Sequence, residues 1–331
     1  MGTFSRVSKT HIASSSKQKL FSMFALRENI SLAPFTTFRI GGVARYYAEV
    51  SSAIEIAEVF EYAEKHGLPL YVLGGGSNVL FSDKGFPGIV MRIVDGGIQV
   101  THQKVTASAG VPLFDVVRKA QDAELEGIEK LAGIPGSFGG AVRGNAGAFG
   151  TEIGDVIVSV KALDRHTGMV REYRQAECEF SYRSSLFKKN PDLVILSAEL
   201  KLLPSEGGML ARVIKETVAA REAKHPQDAQ CAGSFFMNPV VKDKKLLEEF
   251  EKDNGVPARE GKLPAGWLID HVGLRGKKIG GAMVSMKHPN YLLNTGTATA
   301  EDIVTLASLI KMRVRDELRV QLKEEVQYVG F

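Results

Sequence analysis

The sequence predicts an α+β protein of two or three domains, and three observations carry that expectation. The chain has 331 residues, more than the ~100 to 200 of a typical single domain. As far as Pro204, short β-rich runs alternate with amphipathic helical stretches, each closed by Gly, Pro or polar turn residues. After "SEGG" the pattern becomes mainly helical, which places a domain boundary near Pro204.

From Ser52 to His66, Ile54, Ala57, Val59 and Ala63 recur at roughly helical spacing, and Gly67 with Pro69 ends the run. The strand "LPLYVL" follows and ends in "GGGSN"; "GIVMRI" and "QVTHQKVTASAG" read as further short strands. "LFDVVRKAQDAEL" is a second amphipathic helix, running into the densest glycine stretch, "LAGIPGSFGGAVRGNAGAFG". "DVIVSVKALDRHTGMVREY" reads as a hairpin turning at His166, Thr167 and Gly168, and "LVILSAELKL" as another strand. Helices are expected from Met209 to Ala223, Lys244 to Asp253 and Ala300 to Leu318, and the alternation in "VQLKEEVQYVGF" suits a closing strand.

Composition narrows the function classes. Apolar residues make up 44% and charged residues 24%, and no stretch approaches the ~18 consecutive apolar residues of a membrane span. The net charge of +4 is spread along the chain, so neither nucleic acid nor membrane is expected as a partner, while anionic small molecules remain open. Cys178 and Cys231 stand far apart and outside any CxxC, which argues against a disulfide framework and fits a reducing cytoplasm. The histidines are scattered and none has a ligand-pair spacing, so no metal is expected. Residues 1–29 read as a disordered extension: no acid occurs before Glu28, "KLFSMFAL" is too short and interrupted for a secretory signal, and Arg6 breaks the myristoylation pattern.

The loop Gly74, Gly75, Gly76, Ser77, Asn78 follows a strand and offers successive backbone N–H groups, a concave nest suited to phosphate oxygens. It lacks the third glycine of a Rossmann fingerprint, and a plain tight turn remains the alternative. The second loop carries Gly133, Ile134, Pro135, Gly136, Ser137 and Gly140, and two such loops separated by one helix could clasp a diphosphate from both sides. A dinucleotide cofactor is the economical reading; glycines serving helix-to-strand packing are the other. Asn145, Ala146 and Gly147 extend a surface on which a flat ring could lie against main chain.

These segments together resemble a known family. "TTFRIGG", "LGGGSNVL", "GIPGSFGGAVRGNAGAFG", "SYRSS", "AGSFFMNP", "PAGWLIDHVGLRGKKIGGAMVSMKHPNYLLN" and "LKEEVQYVG" are similar, in order, to the UDP-N-acetylenolpyruvoylglucosamine reductase family. The resemblance implies a two-subdomain FAD-binding domain of the vanillyl-alcohol-oxidase (PCMH) type at 30–204. A smaller α+β substrate-binding domain at 205–319 and a terminal strand at 320–331 would follow. The short interval between Arg183 and Ser234 resembles the family's second type, which lacks an inserted element and its substrate-gating tyrosine. Arg143 and Gly144 depart from the pattern, standing where many relatives carry an aromatic or Met.

The resemblance also implies chemistry: non-covalent FAD, NADPH as hydride donor, a UDP-sugar substrate, and a cytoplasmic monomer serving peptidoglycan synthesis. Reducing an enolpyruvyl ether needs a hydride at one vinyl carbon and a proton at the other. Arg183, always charged and able to fork onto a carboxylate, suits the developing enolate; its ordinary alternative is a surface salt bridge. Ser234 lacks the G-x-S-x-G elbow and base of a nucleophile, so the resemblance makes it the proton donor. Glu325 is assigned near the same carboxylate, with Glu324 its solvated neighbour. Lys224, Asn238, His288 and Asn290 are candidates for substrate contacts, or ordinary solvated and capping residues. Competing readings are an oxygen-using flavoprotein of the same fold and a nucleotide-sugar-binding relative without catalysis.

Overall fold

The computed structural model describes residues 24–94, 96–206, 208–224 and 229–331. The first sheet has four strands in the spatial order Leu26–Ser31, Val43–Val50, Phe86–Ile93, Leu70–Leu73. The last three run parallel, so a helix must return the chain between them, and Ala53–Lys65 does so. Ser52 starts that helix through a capping box with Glu55, satisfying otherwise orphaned N–H groups. Its buried stripe is Ile56, Val59, Phe60 and Ala63, packed on Ala48, Val50, Ile89 and Met91. Ile54, taken from the periodicity as part of that stripe, is 68% exposed.

Residues 1–23, most of the expected extension, lie outside the described residues. Its end does not: Leu26–Ser31 is an edge strand, antiparallel to Val43–Val50, with Leu26 opposite Ala48. Arg27, Glu28 and Asn29 are exposed, so no alternation announces the strand, and its partner's ladder holds it in place.

The second sheet is antiparallel, in the order Val170–Arg174, Ile157–Asp164, Leu193–Lys201, Lys104–Ser108, Ile98–Thr101. The expected hairpin is its first pair. Helices Leu113–Asp122 and Phe138–Arg143 cover it, burying Val116, Val117, Phe138 and Val142 with Val105, Val160 and Leu200. Helix Met209–Lys224, assigned by its position after Pro204 to the C-terminal unit, adds Ile214 and Val218 to this same core. By packing, the division therefore lies beyond Lys224; the helical pattern marks a change of element, and only the contacts reveal which core receives it.

The C-terminal unit sets the three-stranded sheet Lys278–Ile279, Ala282–Val284, Leu292–Asn294 against helices Lys244–Asn254, Ala265–His271 and Ala300–Leu318. Phe38, Ile40 and Leu80 of the first subdomain enter its core, so the two units share a wall. The closing strand is shorter than the alternation suggests. Gln327–Val329 pairs in parallel with Val79–Phe81, which carries the chain end back to the first glycine loop.

Candidate active site

Both glycine loops meet backbone to backbone. A Cβ on Gly75 would fall 2.5 Å from Gly136 Cα, and one on Gly76, at φ +67, would fall 1.9 Å from the Phe35 carbonyl oxygen. Side chains are thus excluded where the loops cross. Ser77 Oγ ties them by donating to the Pro135 carbonyl at 2.9 Å, and Thr37 N donates to the Gly76 carbonyl at 3.0 Å. Close helix-to-strand packing, the alternative reading, accounts for Gly139, whose Cβ would strike Ala109, and also for Gly74 and Gly75, whose Cβ atoms would meet Ser137 and Gly136 at the start of helix Phe138–Arg143.

Arg183 sits in left-handed backbone (φ 54), an uncommon place for a non-glycine residue. Reciprocal backbone bonds between Ser181 and Ser184 close the turn, and Asn145 Nδ2 donates to the Ser181 carbonyl at 3.0 Å. The turn aims the guanidinium at the chain end: Nε lies 2.9 Å from Glu325 Oε1, and Nη2 donates to the Gly147 carbonyl at 3.0 Å. Glu325 is itself fixed by main chain, its N–H donating to the Phe235 carbonyl at 2.8 Å and its carbonyl accepting from Asn78 Nδ2 at 3.1 Å. Burial pushes the Glu325 carboxyl up, and the opposing pull of Arg183 and Lys188 does not outweigh it.

Ser234 follows Gly233, at φ +73, and precedes Phe235 and Phe236, both essentially fully buried. Asn290 clamps this segment with three bonds. The Phe235 N–H donates to its carbonyl at 2.7 Å, the Phe236 N–H to its Oδ1 at 2.9 Å, and its Nδ2 to the Phe236 carbonyl at 2.8 Å. A hydroxyl is thereby held on a stiff, largely apolar wall.

Arg183, Ser234 and Glu325 line one cleft of about 550 Å³, within the range of small-molecule sites. Gly74, Gly75, Gly76, Ser77, Asn78, Ile134, Pro135, Gly136, Ser137, Gly140, Ala146 and Gly147 line it too. Gly133 and Asn145 stand behind this lining. Gly133 leaves room for Arg221, whose Cδ would be 3.2 Å from an added Cβ, and Asn145 props the Arg183 turn.

Of the substrate candidates, Asn238 and Asn290 line the cleft, but their side chains also serve the scaffold. Asn238 Oδ1 accepts from the Ala265 N–H at 2.9 Å, at the start of a helix. His288 is outside the lining, its ring edge-on to Tyr291 with centroids 4.9 Å apart, and the Lys224 side chain lies outside the described residues. Glu324, expected to be solvated, is paired with Lys311 Nζ at 2.8 Å; the isolated bridge between Phe236 and Glu324 holds it beside the C-terminal helix.

Among the groups lining the cleft that were not chosen as site residues are Arg143, Lys188, Arg221 and Tyr291. Burial pushes the three cationic groups below their ordinary values. Arg143 was visible as a departure from the family pattern and Tyr291 stands next to Asn290. Lys188 and Arg221 carried no signal, because a lone cation on a helix is ordinarily solvated.

Comparison with known proteins decides the family. Residues 225–329 match the family described as UDP-N-acetylenolpyruvoylglucosamine reductase, C-terminal domain, and residues 44–174 match one described as FAD binding domain. A UDP-N-acetylenolpyruvoylglucosamine reductase of Solibacter usitatus is 38% identical over 311 residues, covering 92% of this chain and 97% of its own. The chain belongs to the UDP-N-acetylenolpyruvoylglucosamine reductase family. A reductase of that name from Listeria monocytogenes is 33% identical, covering 95% of this chain and 98% of its own. The crystal structure of UDP-N-acetylenolpyruvylglucosamine reductase from Thermus caldophilus superposes with a TM-score of 0.74 at 31% identity, covering 93% of this chain and all of that one. The fold is the expected two-subdomain FAD-binding type with an α+β C-terminal domain.

The residues present fit FAD. Loop backbone from Gly74 to Asn78 and from Ile134 to Ser137 lines the cleft with little side chain in the way, and cations including Arg143, Arg183, Lys188 and Arg221 line it too, which suits an anionic dinucleotide. Gly75→Ala should therefore push the loops apart and weaken FAD retention by at least about tenfold at a cost of roughly 1.4 kcal/mol or more. Flavin fluorescence titration of the deflavinated protein checks this, and unchanged affinity would remove the loop crossing from the cofactor site.

Proposed function

We propose that this chain reduces the enolpyruvyl ether of UDP-N-acetylglucosamine enolpyruvate to UDP-N-acetylmuramate, with NADPH as the source of reducing equivalents. The observation that carries this reading is the convergence of Arg183, Glu325 and Ser234 on a cleft lined by both glycine loops. When bound, FAD supplies the hydride for the terminal vinyl carbon of the substrate.

The protein's own residues handle charge and the proton. Hydride addition drives negative charge toward the substrate carboxylate, and the always-charged Arg183, preset by its turn, stabilises that charge without reorganising. Glu325, whose carboxyl burial pushes up, donates a hydrogen bond to the same enolate when it carries a proton. Ser234 then gives its proton to the adjacent carbon; the apolar wall excludes competing water and favours a positioned hydroxyl. Arg143, Lys188 and Arg221 offer charge to the diphosphates of the nucleotide ligands.

We place this activity in the cytoplasm and expect a monomer. Among the described residues no helix is long and apolar enough to cross a membrane. An anaerobic two-step assay tests the function: NADPH should bleach the bound flavin, and the enolpyruvyl nucleotide sugar should restore its colour. Restoration by oxygen alone would point to an oxidase of the same fold, and a yellow protein that NADPH cannot bleach to a relative without this catalysis.

A further inference from the structure

Tyr291 reaches the reaction centre through a short, stiff span. The three bonds between Asn290 and the Phe235–Phe236 segment fix the neighbours on either side, and the Tyr291 and Ser234 side chains are hydrogen-bonded to each other. Two further backbone bonds hold the tyrosine: its N–H donates to the His288 carbonyl at 2.9 Å, and its carbonyl accepts from Ser285 N at 2.9 Å. The residue is 7% exposed and lines the cleft. Its other polar neighbours are Arg221, Cys231 and Glu325, with the His288 ring against its own.

A serine hydroxyl has one proton. If Ser234 delivers that proton into the cleft, its oxygen needs a donor from the wall, because an alkoxide beside Phe235 and Phe236 would otherwise be left without hydration. We propose that Tyr291 is the positioning residue of the proton step: its phenol donates to Ser234 Oγ, aims the serine O–H at the substrate, and returns a proton to that oxygen as the new C–H bond forms. This inference rests on Ser234 being the proton donor.

The step balances. The Ser234 O–H bond breaks as the substrate C–H bond forms, and the Ser234 O–H bond is remade with the proton of Tyr291. The phenolate left behind lies beside the Arg221 guanidinium and regains a proton from water admitted when product leaves. One solvent proton is consumed per turnover, as addition of one hydride to a neutral double bond requires. A phenol is a stronger acid than an aliphatic alcohol, so the transfer to serine runs downhill even with burial pushing Tyr291 up to about 12.

Tyr291→Phe keeps the ring and its packing on His288 and removes only the hydroxyl. In anaerobic stopped-flow measurements on the FAD-loaded enzyme, bleaching by NADPH should be unchanged, while reoxidation by the enolpyruvyl nucleotide sugar should slow by about 10- to 100-fold. A proton inventory in mixed light and heavy water should lose the contribution of one moving proton relative to the parent, the Ser234 proton and the solvent-exchangeable hydride contributing to both. If Tyr291→Phe leaves reoxidation and the inventory as in the parent while Ser234→Ala still stops turnover, the role given to Tyr291 is wrong and that of Ser234 stands. Equal losses in both half-reactions of Tyr291→Phe would also overturn it, by showing a structural role. An unaffected Ser234→Ala would instead remove the serine reading beneath it.

Discussion

Replacing Ser234 by alanine should leave reduction of the bound flavin by NADPH intact and slow transfer to the enolpyruvyl substrate by about 10²- to 10⁴-fold, the range for loss of a general acid. The split between half-reactions follows from geometry. Ser234 stands on a segment clamped by backbone bonds to Asn290, and none of those bonds uses its hydroxyl. Alanine at this position therefore removes the available proton and the side-chain bond to Tyr291 but leaves the clamp in place, and the glycine loops keep their own contacts. Rapid-mixing absorbance of each half-reaction checks it, and equal loss in both would remove Ser234 as the donor.

The second large effect concerns the Arg183 and Glu325 pair. Arg183→Met should cost about 10²- to 10³-fold in the substrate half-reaction, the scale seen when one preset charge-stabilising group is removed. It would also strand Glu325 without the cation 2.9 Å away. The carboxyl itself predicts a pH dependence. Burial holds its folded value above the ordinary 4.5, so protonated Glu325 persists to higher pH in the folded protein than in the unfolded chain.

Two consequences share that sign. The contribution of Glu325 to stability is fully present below 4.5 and is lost as pH rises through its folded value. The rate of the substrate half-reaction should fall across the same upper limb, because the ionised carboxylate no longer donates to the enolate. Glu325→Gln should keep a donor, lower the rate and abolish that limb; a pH profile retaining the limb would assign it to another group.

Much of the local structure is legible in the chain. The helix Ala53–Lys65 is announced by Ser52, Glu55 and its apolar spacing, and the hairpin at Thr167 by its turn residues, because caps and turns are decided within a few residues. The glycine loops are legible for a related reason. A backbone that must approach another backbone allows no Cβ, and that demand is written at Gly75 and Gly76. The edge strand Leu26–Ser31 and the allegiance of helix Met209–Lys224 are not legible, since each depends on a partner far along the chain.

The same division runs through the site. By itself the sequence determined the glycine loops, the serine before two phenylalanines and the family to which their order points. Tertiary structure alone decided that the chain end returns beside Val79–Phe81, bringing Glu325 to Arg183, and that Asn290 clamps the Phe235–Phe236 segment. It also gathered Arg143, Lys188, Arg221 and Tyr291 into one cleft. The physical reason is range: backbone sterics and capping act between near neighbours in sequence, whereas burial and charge pairing depend on which distant segments share a wall, and no local pattern encodes that.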